Sequence, residues 1–361
     1  MPQELLKKLK NDLDQKAGHL RIRGQLHLTK SQPAYCDAVL LRDVSLENDV
    51  SGWIDERTSW SDLLDRYQSM DPELISGQPP EHFAVRVLSG RGSICSGKNI
   101  FLFFPHCLGI TETDSSESFG LELVDVWRNV FEKVVFPCAR SVLDSESLVA
   151  ALPGLLHAIE KTTYLASVFH EIGHRIGPWK VSPKPNEKLR VDSFYLDILG
   201  ELSTDCALVK NLSPFPEINS FVTLQRMFWF GRRGYLDNPK SAWLNTDNDS
   251  WISAFLWNEL TRQKLLQKNG DKWNLKFSEL PGFYSELYSE IQDLGLEVLR
   301  HSTKLMQNQI VEHWMRSKVD WDPLAGFALS ESQQDAFASC ARYPEIPQFN
   351  PILDLNPQEM L

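Results

Sequence analysis

The sequence reads as an α+β protein: a mainly antiparallel sheet with helices over residues 1–115, followed by a larger, mainly helical region over 116–361. Three observations carry this reading. Alternating apolar residues and short apolar runs joined by glycine turns, the pattern of strands, cluster in the first third of the chain. From Phe119 onward the apolar residues recur with helical period. Between the two lies TETDSSES at 111–118, a polar stretch with the composition of a boundary loop.

Residues 1 to about 17 carry a charged, amphipathic helical pattern, and HLRIRGQLHL then alternates Leu20, Ile22, Leu26 and Leu28 as a half-buried strand does. AVLLRDV at 38–44 is a second strand able to pair with it, and WSDLLDRYQSM is the clearest helix between 53 and 80. FAVRVL, SGRG and SICSGKNIFLFFP read as strands joined by glycine turns, ending in the very apolar Ile100–Phe104. The helical region opens with GLELVDVWRNVFEKVVFPCARSVL and runs on through LVAALPGLLHAIEKTTYLASVFHEIGHRI. Gly177 and Pro178 stop that helix, and WKVSPKPNEKLRV, with Pro183 and Pro185, is not regular helix. Asp192 or Ser193 then caps SFYLDILGELSTDCALVKNL. The tryptophans at 229, 243, 251 and 257 are expected in helix packing, with one or two able to line the cleft, and His106, His301 and His313 in structural or exposed positions.

The formal net charge of −11, with no basic cluster beyond pairs such as Lys7-Lys8, excludes a nucleic-acid or anionic-membrane surface. The segment MPQELLKKLKNDLDQK lacks the apolar core of a signal peptide, and no run reaches the length of a membrane span. The six cysteines form no C-x-x-C pair, which fits reduced thiols. These features set the expectation of a cytoplasmic protein with a peptide or small-molecule ligand.

The chemistry is concentrated between Glu160 and Asp205. His170-Glu171-Ile172-Gly173-His174 places two histidines four positions apart, so on a helix the second imidazole is turned only about 40° from the first and both meet one metal ion. Glu160, Thr163, Ser167, His170, Glu171 and His174 share a polar face, while Leu165, Val168, Phe169, Ile172 and Ile176 form the packing face. On the next helix Glu201 and Asp205 also stand four apart, amid Phe194, Ile198, Leu202, Leu208 and Val209. Carboxylates half-buried in such a surface need a cation or donors.

HEIGH followed 27 positions after His174 by Glu201, in the string Glu-Leu-Ser-Thr-Asp, resembles the gluzincin zinc metallopeptidases. That is the class of thermolysin, angiotensin-converting enzyme and, with one extra residue in its first motif, dipeptidyl peptidase III. The resemblance covers about 45 residues. It implies that His170, His174 and Glu201 bind zinc, that Glu171 is the general base, and that Asp205 orients a ligand histidine. Arg175 departs from the pattern, since the residue after the second histidine is usually uncharged. HEIGHRIGPWK also follows the metzincin pattern up to Gly177, but Lys180 stands where that pattern needs its third ligand.

Two imidazoles and one carboxylate leave zinc an open position for a water whose proton Glu171 takes. The donor for the developing oxyanion comes, in the families that the chain resembles, from the chain after the third ligand, which implies RMFWFGRRGYLDN with its Arg226, Arg232, Arg233 and Tyr235, Tyr235 or one of the arginines being favoured. Tyr164 and Tyr195 lie nearer the metal helices. The leading function is a zinc-dependent peptidase or amide hydrolase. The alternatives are a zinc hydrolase or lyase of a small metabolite, and a binding protein that keeps the metal site without turnover. Intact Glu171 argues against the last.

Overall fold

The five-stranded sheet follows from the alternation seen in the sequence. β1 (His19–Leu26) pairs antiparallel with β2 (Ala34–Arg42), His19 opposite Leu41 and Leu26 opposite Ala34, and turns Leu20, Ile22 and Leu26 inward. β3 (Glu81–Gly92), β4 (Phe101–Phe104) and β5 (Phe119–Leu123) complete the order β1-β2-β3-β5-β4, antiparallel except for the parallel β3–β5 pair. This computed structural model describes residues 2–14, 18–27, 33–71, 81–92, 94, 100–104, 106–109, 118–181, 185–232, 235 and 243–351. Leu28, Pro183 and residues 111–117 of the expected boundary loop lie outside them.

β5 corrects the expectation that helix begins at Phe119. All five of its residues are buried, so the segment shows no polar alternation by which a strand is told from a buried helix. Phe119, Leu121 and Leu123 join a small core with Phe83, Val85 and Val87 of β3, covered by Leu6, Leu9 and Leu13 of α1 (Pro2–Asp14). Successive strand residues point to opposite faces, so Glu122 turns toward the helices.

A larger core holds the helical part together. α2 (Val44–Asp55) and α3 (Trp60–Met70) start at capping Asp43 and Ser59, whose side chains accept from the Leu46 and Asp62 amides. Their Val50, Trp53, Leu63 and Tyr67 pack into this larger core, although they come from the N-terminal third of the chain. α4 (Val124–Val130) and α5 (Phe136–Val142) are joined by a widened π turn over Phe131–Val135, where Pro137 removes a backbone donor. Then come α6 (Ser145–His157), α7 (Ile159–Gly173), α8 (Ser193–Asn211), α9 (Pro216–Phe228), α10 (Asn248–Arg262), α11 (Leu280–Val298), α12 (Lys304–Lys318) and α13 (Glu331–Cys340). Two small hairpins interrupt the helices: β6 (Leu266–Asn269) with β7 (Lys272–Leu275), and β8 (Asp320–Asp322) with β9 (Gly326–Ala328). Gly270, at φ 61°, makes the tight turn of the first. Among the described residues no helix is long and apolar enough to cross a membrane.

Candidate metal centre

α7 and α8 pack against each other, and the contact depends on a glycine. A Cβ at Gly173 would stand 2.8 Å from Thr204 Cγ2, so only glycine lets the two helices come this close. α7 ends there, with the His174 amide bonded back to the His170 carbonyl. The stop comes before Gly177, which instead turns the chain at φ 73° and donates its amide to Asp71 Oδ2 at 3.0 Å. Asp192 stands at the start of α8 without capping it through its side chain, because that carboxylate is taken by Asn308 and Lys304 of α12.

Across this contact His170 Nε2 lies 3.4 Å from Glu201 Oε2, and His174 Nε2 lies 3.5 Å from Glu201 Oε1. The two imidazole planes stand at 86° with centroids 4.6 Å apart. The three side chains offer one ligand atom each, all within 4.8 Å of one another. Tetrahedral zinc with bonds of about 2.0–2.1 Å separates its ligand atoms by about 3.3 Å, so the donor set and its spacing fit the ion. Each histidine has its other nitrogen occupied. His170 Nδ1 lies 3.4 Å from Asp205 Oδ1, and His174 Nδ1 lies 3.2 Å from the Thr204 hydroxyl. Such contacts fix tautomer and ring orientation.

The acids are balanced by one buried arginine. Arg226 of α9 donates Nε to Asp205 Oδ2 at 2.6 Å, Nη2 to Glu201 Oε2 at 2.9 Å, and Nη1 to Asp249 Oδ1 at the start of α10. Burial works against charge at Glu201, yet His174, His170 and Arg226 hold its carboxyl well below the usual range. Burial likewise opposes charge at Asp205, where Arg226 and then His170 win and lower its pKa. Burial alone would depress His170, but Asp205 and Glu201 push it up to about 10 in the metal-free site; His174 is lowered by burial.

These groups open onto a cavity of about 220 Å³, whose wall includes His170, Glu171, Glu201, Asp205, Arg226 and Asp249. Ile100 and Phe101 reach it from the edge of the sheet. Glu122 is a wall residue that sequence reasoning missed. It is 1 % exposed, and its Oε2 accepts from Trp127 Nε1 at 3.2 Å. Burial, with Glu171 nearby, raises its pKa well above the carboxylate range. The one signal was a lone acid inside the apolar string FGLELV.

Of the groups expected to hold the oxyanion, Arg226 lines the cavity, whereas Arg232 and Tyr235 are not among the lining residues. Arg232, 1 % exposed, spends its guanidinium on the carbonyls of Tyr343 and Pro344, because the turn Phe230–Arg232 carries it toward the C-terminal segment. Tyr235 sets its ring against Phe337 at 5.8 Å and does not line the cavity. Arg233 lies outside the described residues. Tyr164 donates to the His82 carbonyl. Arg175 is 9 % exposed, and burial lowers its pKa.

No protein-family model matches the chain, and no curated protein matches it in sequence. Its fold is similar to solved structures that include two of dipeptidyl-peptidase III. The one from Caldithrix abyssi has a TM-score of 0.57 at 13% identity, over 98% of this chain and 64% of that one. The one from Corallococcus sp. strain EGB has a TM-score of 0.57 at 12% identity, over 95% of this chain and 60% of that one. The chain therefore spans about three fifths of the length of these neighbours and shares their α+β fold.

Proposed function

We propose that the chain is a zinc-dependent metallopeptidase of gluzincin type, with His170, His174 and Glu201 as ligands, Glu171 as the base and Asp205 orienting His170. The observation that carries this is the spacing of 3.4 and 3.5 Å between the carboxylate of Glu201 and the two imidazoles, with Glu171 on the wall of the same cavity. Zinc, when bound, supplies a Lewis acid that polarises a carbonyl and acidifies water. The chain supplies the rest. Glu171 follows His170 by one position, about 100° around the helix, so it borders the ligand seam without joining it. From there its carboxylate accepts a proton from the attacking water and passes it to the leaving nitrogen. The substrate is a peptide in extended form, because among the described residues β4 ends the sheet and its neighbour Ile100 and its own Phe101 line the cavity, where a chain can lie along the strand edge.

The test joins zinc analysis with digestion of a peptide library. About one zinc per chain, lost in His170→Ala and His174→Ala, together with peptide cleavage by the parent, is the expected result. Variants that keep parental zinc content overturn the site. Full zinc without cleavage of any peptide turns the reading to the hydrolase or lyase of a small metabolite.

A further inference from the structure

Resting on the zinc reading, we propose that Arg226 is the positioning residue of the metal site, turning Glu201 toward the two histidines and holding Asp205 against His170. The four-residue spacing on α8 brings two carboxylates to one side of a buried helix, where like charges repel and their side chains have no reason to share one orientation. Arg226 supplies that reason. Nη2 takes Glu201 Oε2 at 2.9 Å and Nε takes Asp205 Oδ2 at 2.6 Å, while Asp205 Oδ1 stays 3.4 Å from His170 Nδ1 and Glu201 Oε1 stays 3.5 Å from His174 Nε2. One planar fork thereby indexes both acids at once, which the point charge of a lysine does not.

The fork is itself fixed. Its third nitrogen is held by Asp249 from α10, and its face lies 5.1 Å from the Phe230 ring centre. Among the described cavity-lining residues Arg226 is the only arginine or lysine. A bridge that only joined helices would need one carboxylate partner. This guanidinium takes three, and two of them stand against the histidine rings. Beyond balancing the charge of these acids, the fork sets the direction in which Glu201 and Asp205 face the histidines.

The test compares the parent with Arg226→Met and Arg226→Lys. The readouts are zinc affinity by chelator competition, and the visible absorption of the cobalt-loaded protein, which reports ligand geometry rather than fold. Met should weaken zinc binding by about 10–100-fold, the usual cost of losing a residue that orients metal ligands, and should shift the cobalt bands. Lys keeps the charge without the fork, so it should fall between parent and Met in affinity with bands still displaced. If Met does not fold, Lys alone decides: parental affinity with parental bands overturns the inference. A parent that binds no stoichiometric zinc overturns the zinc reading itself, whereas a zinc-binding parent with unchanged variants overturns only the role of Arg226.

Discussion

Replacing Asp205 by Asn separates two jobs that one carboxylate performs. Oδ2 accepts from Arg226 Nε at 2.6 Å, and Oδ1 stands 3.4 Å from His170 Nδ1. Asn keeps the shape but removes the charge and turns one oxygen into a donor. The loss at His170 should cost about 10–100-fold in zinc affinity, equal to about 1.4–2.7 kcal/mol. The loss at Arg226 is a charge-assisted hydrogen bond, worth about 1.5–3 kcal/mol of folding stability. It stays below the roughly 3–5 kcal/mol of a fully broken buried pair, because Glu201 and Asp249 still hold the guanidinium. Chelator competition measures the first quantity, and urea unfolding of the zinc-free protein measures the second. A variant with parental zinc affinity shows that Asp205 does not orient the ligand. Parental stability in the zinc-free state shows that Arg226 does not depend on it.

Two further outcomes follow from the same geometry. Glu171→Gln keeps size and hydrogen bonding but accepts no proton at neutral pH, so zinc content and melting temperature should stay near the parent while peptide turnover falls by at least about 100-fold; retained turnover removes Glu171 as the base, and lost zinc makes it a ligand. In the zinc-free protein His170 is raised to about 10, above its ordinary 6.5, so its contribution to stability is complete below about pH 6.5 and is lost as pH climbs toward 10. The stability gap between parent and His170→Gln should accordingly narrow over that range in denaturant titrations, and a gap that is constant or widens refutes the assignment.

The histidine helix was legible in the sequence because its information is local. A four-residue spacing on a helix decides which side chains share a face, whatever the rest of the chain does. The same holds for α3, where the string WSDLLDRYQSM coincides with the helix Trp60–Met70, and for α8, where Glu201 and Asp205 stand one turn apart. What the tertiary structure decided is which distant groups meet. β5 is buried on both faces and carries no period to read, so neither the strand nor the placement of Glu122 in the cavity wall could be seen beforehand. Arg226 stood in the sequence among four candidates for the oxyanion, yet α9 and α10 bring it between three carboxylates, while the turn after α9 sends Arg232 to the C-terminal carbonyls. Helical periodicity says which side a residue takes on its own element. Only the packing of α7, α8, α9 and α10 against one another determines what stands opposite, because a buried charge is held by partners that lie tens of residues away.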